Sequence, residues 1–161
     1  MPKICLLGDI ASIHLQRWAK QLAQLGHEVS IISFETAPMP NNIKIYQIKS
    51  KIPTKLKYII SIPAIIKIIK NIKPDLIHAH YLTSYGFIGA CLNFKPLIVS
   101  AWGSDVLITS QKNLILNLFV RFAIKKADLI HSLAKFVEKP LVALGAKPNQ
   151  IVTIQIGRAF V

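Results

Sequence analysis

His78 and His80 stand one residue apart where the apolar run of "DLIHAHYLTSYG" gives way to polar and small residues. Residues two apart on a strand face the same side, so the pair has the H-x-H spacing of a metal chelate and raises the prospect of a metal hydrolase. A catalytic zinc takes a third His or a carboxylate, for which His14, Asp9 and Asp105 are the candidates. Strand pleating fades at its end, which points to a different division: His78 packed in the core and His80 turned toward a ligand. A second constellation is "AWGSDV". Trp102 offers a face for stacking on a sugar ring, while Gly103, Ser104 and Asp105 bring backbone, hydroxyl and carboxylate to the same turn. Structural roles compete with these: Trp102 closing the core, and Ser104 or Asp105 capping the next helix. Capping is the expectation for Ser104, and Asp105 stays open between the two. His131 is expected to pack at a strand end and Ser132 to cap a helix. Gly8 suits a tight strand-to-helix turn, and the absence of G-x-G-x-x-G around it argues against a nicotinamide or flavin enzyme.

The elements that must carry these residues follow from periodicity. "KICLLG" reads as a strand, and "SIHLQRWAKQLAQLG" as an amphipathic helix capped by Ser12 and stopped by Gly26. "HEVSIISF" completes a βαβ unit. "IKIYQI" is an alternating edge strand with Ile43, Ile45 and Gln47 on one face. "TKLKYIISIPAIIKIIKNIK" is helical with a break at Pro63. Strands at "PDLIHAH", "PLIVSAW", "DLIHSL" and "IVTIQI" then alternate with helices at "YLTSYGFIGACLN", "NLILNLFVRFAIKKA" and "AKFVEKPLVALGA". The pattern predicts a parallel α/β sheet with helices on both faces. In such sheets ligands gather beyond the carboxyl ends of the strands, and this rule sends Gly8, His14, His80 and the "SAWGSDV" turn to one crevice.

Composition narrows the class. The 161 residues are 52% hydrophobic, enough for one folded domain and inconsistent with disorder. Cys5 and Cys91 show no disulfide or zinc spacing and read as free thiols of a reducing compartment. The start does not read as a signal peptide, and the greasy stretch from Tyr58 to Ile72 is too short and too interrupted to span a bilayer, so cytoplasmic synthesis is expected. Twenty Lys and Arg against seven Asp and Glu give a net charge of +13, which favours phosphate-bearing partners.

Together, "GDIASIHLQRWAKQLAQLGHEV", "KPDLIHAHYLTSYGFIGA", "LIVSAWGSDVL" and "ADLIHSLAKFVEKPLVALGAKPNQIVTIQIG" resemble the N-terminal domain of family 4 glycosyltransferases over almost the entire chain. The resemblance implies a Rossmann-like domain, one half of a GT-B fold whose other half binds the nucleotide-sugar. It implies sugar transfer to a glycan or lipid-linked acceptor, as in cell-envelope polysaccharide synthesis, generally with retention and without a metal or other cofactor. Gly8 matches a first-turn glycine that approaches the donor phosphates, and His14 a histidine near the cleft. His80 matches the histidine that contacts acceptor or transferred sugar and takes the catalytic role. Gly103 and Asp105 match an "H-G-x-D" turn, with Gly103 on the donor-phosphate side and Asp105 beside the acceptor. Trp102 stands where that turn often carries histidine, which leaves it the role of a sugar contact.

The family's E-x₇-E motif has no counterpart, since Glu28 and Glu35 are wrongly spaced. At "IQIGRAFV" Gly157 fits the family's continuation into the donor domain and the rest diverges. Residues 1–161 are therefore expected to form the acceptor-side domain alone, partnered by a donor domain or second subunit and nearly inactive without it. Lys51, Lys55, Lys57, Lys67, Lys70 and Lys73 cluster around an Ile-rich helical stretch, chemistry that suits an anionic membrane face. An ordinary sheet-covering helix with solvated lysines is the competing reading. A non-enzymatic nucleic-acid-binding domain ranks below it, because no RNA-binding or helix-turn-helix motif is present.

Overall fold

The computed structural model describes residues 1–52, 55–112 and 114–154. Seven strands form one parallel sheet: β1 (Lys3–Leu7), β2 (Glu28–Ser33), β3 (Ile43–Gln47), β4 (Leu76–His80), β5 (Leu97–Ala101), β6 (Leu129–Ser132) and β7 (Ile151–Thr153). Their order is β3-β2-β1-β4-β5-β6-β7, so the chain starts mid-sheet and winds outward in both directions. The strands that reverse the winding are β1 and β4, and they are neighbours. That switch point is where an open α/β sheet forms a crevice.

Alternation along each strand divides the core into two. Ile4 and Leu6 of β1 join Val29 and Ile31 under α1 (Ile13–Gln24), which contributes Leu15 and Ala19. Cys5 and Leu7 point the other way, into a larger cluster with Ile32, Ile77 and Val99 of the sheet. That cluster is roofed by α3 (Ile62–Ile72), α4 (Phe87–Cys91), α6 (Leu114–Lys126) and α7 (Glu138–Ala143). Both faces of β1 are thus dry, as parallel strands require. Burial pushes the Cys5 thiol up to about 12, which keeps it unreactive.

Local punctuation follows the sequence closely. The Ser12 hydroxyl accepts the His14 N–H at the start of α1, and Gly26 closes the helix at φ +87°. Pro63 sits in the first turn of α3, just after the short α2 (Leu56–Ile60) ends. Lys73, at φ 49°, stops α3 ahead of Pro74.

One expectation changes, that of a single helix after β4, and the other details go beyond what was expected or fall outside the described residues. Ile45 does not share the burial of Ile43: it is exposed, since an edge strand has a neighbour on one side only. The single helix read over "YLTSYGFIGACLN" is a π-helix, Tyr81–Gly86, followed by α4. A second π-helix, Asp105–Thr109, precedes the short α5 (Ser110–Lys112). The last strand is described only as far as Thr153 and Ile154, and Gly157 lies outside the described residues.

Candidate functional site

The carboxyl ends of β1, β4, β5 and β6 bring most of the sequence-predicted residues into one cluster. Gly8 ends β1, and its value is close approach. A Cβ there would lie 2.4 Å from Leu15 Cδ1 and 3.2 Å from His80 Cβ, so only glycine lets α1 and β4 close on the strand. Gly103 answers a different demand, since the turn after β5 holds it at φ +88°, a conformation unfavourable to residues with a Cβ.

His78 and His80 lie on the same side of β4 with rings stacked 4.2 Å apart at 29°. His78 Nε2 is engaged by Ser100 Oγ at 2.7 Å, and among the described residues no third His, Cys, Asp or Glu joins them to complete a ligand set. His78 instead begins a chain across three strands. Ser100 Oγ lies 2.9 Å from His131 Nδ1, and His131 Nε2 lies 3.0 Å from the Ile154 carbonyl oxygen. A carbonyl only accepts, so His131 donates through Nε2, Ser100 donates to His131 Nδ1, and His78 donates through Nε2 to Ser100. Both tautomers follow from that one terminal acceptor. Trp18 of α1 covers the chain, with its ring 5.1 Å from His78 and 5.4 Å from His131, near-perpendicular to each. Burial lowers the His78 pKa to about 3 and lowers that of His131 as well.

His80 has the same burial and none of the bonds. It is 1% exposed, and neither Nδ1 nor Nε2 has a hydrogen-bond partner. Burial, reinforced by the neighbouring imidazoles, holds its pKa well below the usual histidine range, so it is neutral at physiological pH. His14, in the first turn of α1, meets Trp102 edge-on at 4.9 Å, and its Nδ1 is likewise buried without a partner. Trp102 also meets His80 at 5.9 Å and Tyr81 at 6.2 Å, each nearly perpendicular.

Asp105 is fully buried, and its carboxylate is turned inward. Oδ2 accepts the Leu82 N–H at 2.8 Å, while Oδ1 accepts the Trp102 N–H at 3.0 Å and the Val106 N–H at 3.1 Å. One carboxylate therefore ties the turn after β5 to the turn after β4. Burial pushes its pKa up to about 6, against the pull of these N–H donors. In this geometry its part is to hold the turn, and the direct ligand contact expected of it would need those bonds to open. The expected Ser104 cap is absent. Ser104 Oγ donates instead to the Tyr81 hydroxyl at 3.3 Å, which also lies 3.1 Å from Thr109 Oγ1. Ser132 is no cap either, since its hydroxyl donates to the Ala134 carbonyl.

Sequence reasoning missed Ser100, Tyr81, Thr109 and Trp18. Ser100 had a signal: on β5 it must face the same side as Ile98 and so meet the histidines of the flanking strands. Tyr81 had none, because its φ of 73° is a tertiary outcome for a residue that disfavours the left-handed region. A separate hollow of about 750 Å³, lined by Arg121, Lys125, Asp128, Gly145 and Gln150, opens at the opposite, amino edge of the sheet and includes none of these groups.

Comparison with known proteins gives a family by sequence and a fold by structure. The family described as Glycosyl transferase 4-like matches residues 3–133. Sucrose-phosphate synthase from Thermosynechococcus elongatus superposes with a TM-score of 0.80 at 15% identity, covering 98% of this chain and 49% of that one. Anabaena HepE, solved in complex with UDP and glucose, gives 0.73 at 16% identity, covering 98% and 45%. UDP-GlcNAc 2-epimerase from Methanocaldococcus jannaschii gives 0.67 at 18% identity, covering 96% and 45%. No curated protein matches by sequence. The chain spans less than half the length of each of these three structures, and at such identities they show the fold: one Rossmann-like half of a GT-B enzyme. The same architecture serves a synthase and an epimerase, so the family assignment rests on the sequence match over most of the chain. On that match the chain belongs to the glycosyl transferase 4-like family.

Proposed function

We propose that the chain is the acceptor-side half of a glycosyltransferase that moves a sugar from a nucleotide-sugar to a glycan or lipid-linked acceptor. The observation that carries the reading is His80: a neutral, buried imidazole with two unmatched nitrogens at the carboxyl edge of the sheet. Beside it are an indole and an inward-turned carboxylate that fixes the turn. Neutral imidazole both donates and accepts, so His80 can hold a sugar hydroxyl in place while charge develops elsewhere. Gly8 and Gly103 leave backbone near where the donor phosphates would approach, and Trp102 and His14 flank the sugar. Stabilising the leaving pyrophosphate then falls to a donor-binding half, supplied by further chain or by a partner subunit.

Two measurements test this. The 161-residue chain alone is expected to show no measurable transfer from nucleotide-sugars. Joined to a donor-binding half, His80→Ala is expected to lower transfer on the order of 10²-fold with an unchanged circular dichroism spectrum. Retained transfer in that variant overturns the reading.

We further propose that this half meets an anionic membrane surface, as at the inner face of the cell membrane. No helix among the described residues is long and apolar enough to cross a membrane. α2 supports a surface contact instead: it buries none of its residues, and Leu56, Ile59 and Ile60 form an exposed apolar stripe. Exposed Lys51, Lys55, Lys67, Lys70 and Lys73 flank it, and no acidic residue occurs between Glu35 and Asp75. A helix that covered the sheet would have buried that stripe. Flotation with phosphatidylglycerol vesicles at low salt is expected to carry the protein, and Leu56→Ser with Ile60→Ser to leave it behind. Absence of binding to anionic vesicles, or equal binding to neutral ones, defeats the proposal.

A further inference from the structure

His80 presents a contradiction that the sugar-transfer reading alone does not resolve. A group that contacts ligand must be reachable, yet His80 is 1% exposed. Whichever tautomer it adopts, one donor and one acceptor are buried without a partner, an arrangement that costs free energy on both nitrogens. Nothing beneath relieves this. His78 is stacked against it but directs Nε2 to Ser100, and Gly8, close enough that an added Cβ would lie 3.2 Å from His80 Cβ, has no side chain to offer. Toward solvent its nearest ring is Trp102, only half-buried and 5.9 Å away, and half-buried His14 meets that indole edge-on at 4.9 Å.

Trp102 is fixed and free in different parts. Its backbone N–H is held by Asp105 Oδ1, and Gly103 follows at φ +88°, so the turn is rigid. Its ring is held by edge contacts with His14, His80 and Tyr81, which are individually weak. Rotation about the side-chain torsions can therefore uncover His80 without disturbing the backbone.

We propose that Trp102, with His14 leaning on it, is a movable roof over His80, and that a neutral hydroxyl-bearing ring of the pyranose class opens it by taking the His80 nitrogens and a face of the indole. The ligand class rests on the sugar-transfer reading; the roof does not. A sugar hydroxyl can accept from the N–H and donate to the bare nitrogen, and the C–H face of the ring suits the indole. A sulfate ion, which carries no O–H, meets only the donor and leaves the other nitrogen unmatched.

Carbethoxylation of histidines by diethyl pyrocarbonate, located by peptide mass spectrometry, tests the roof without a ligand. In the unaltered chain His80 is expected to react as slowly as His78. In Trp102→Ala its rate is expected to rise on the order of tenfold or more, because its reactivity follows the open population. His78 and His131, linked through Ser100, should keep their original rates in that variant. Trp102→Phe, which retains a ring over the site, should stay close to the parent. Equal His80 rates in the parent and Trp102→Ala overturn the roof, as does a parallel rise at His78 and His131, which marks general loosening. The ligand class is read from the Trp102 indole N–H resonance, expected to shift with methyl pyranosides and not with inorganic sulfate. A shift with sulfate, or none with any pyranoside, overturns it. The transfer reading fails separately, by retained activity in His80→Ala.

Discussion

Asp105→Ala is expected to destabilise the domain by about 3–5 kcal/mol, because it strands backbone donors in two turns at once. The Leu82 and Trp102 N–H groups would lose charge-assisted bonds of 2.8 and 3.0 Å in a site with no exposure to water. The Val106 N–H loses less, since it also reaches the Gly103 carbonyl at 3.1 Å. Asp105→Asn keeps one accepting oxygen and should lose roughly half as much. Urea unfolding of the three proteins measures this. A cost below about 1 kcal/mol for the alanine variant would show that the carboxylate does not hold these turns together. The effect is large against a typical domain stability of about 5–15 kcal/mol, so the variant should also lose the cleft geometry near its midpoint.

Acidification is expected to have an effect of similar size, from the histidines. His78 has a folded pKa of about 3 against 6.5 in the unfolded chain, so between these values only the unfolded state takes up the proton. Its contribution is fully present above pH 6.5 and is lost as pH falls toward 3. At pH 5 the loss from His78 alone is about 2 kcal/mol. His80 and His131, also depressed by burial, act in the same direction. Asp105 opposes them: its folded pKa of about 6 lies above the unfolded 3.8, so its unfavourable contribution shrinks on acidification, by about 1 kcal/mol between pH 7 and 5. The histidines outweigh it, and stability should fall from pH 7 to pH 5. His78→Asn should flatten that dependence. A stability that is level or rising over this interval would show that these imidazoles are protonated in the folded state.

The architecture was legible because the strands around the cleft, β1, β4, β5 and β6, each announced themselves twice, by an apolar run and by a following turn rich in Gly, Ser, His or Asp. The break at Pro63, the Ser12 cap and the Gly26 stop are local decisions, and local chemistry predicts them. The H-x-H motif was legible as a site but not as to kind. Spacing places His78 and His80 on one face, whereas the hydroxyl of Ser100 on the neighbouring strand decides which of them is satisfied. Alternation along β5 puts Ser100 on the histidines' side, but which of the two it bonds depends on the register between β4 and β5, which the sequence pattern leaves open. Asp105 stayed undecided for the same reason, since its partner Leu82 lies 23 residues away. The π-helices were invisible because their apolar spacing passes for that of an α-helix, and the difference is one residue per turn in the hydrogen-bond ladder.

That one residue has a consequence for how the domain tolerates change in length. Each π-turn behaves as a local insertion absorbed without ending the helix, at Tyr81–Gly86 after the histidine strand and at Asp105–Thr109 after the tryptophan turn. Removing a residue from either would restore α-helical bonding but rotate what precedes it by roughly 100° about the helix axis. For the first turn, that rotation would pull the Tyr81 hydroxyl from Thr109 and the Leu82 N–H from Asp105 together. Surface loops of this domain can lengthen or shorten freely, while these two segments have a fixed count of residues set by the cleft between them.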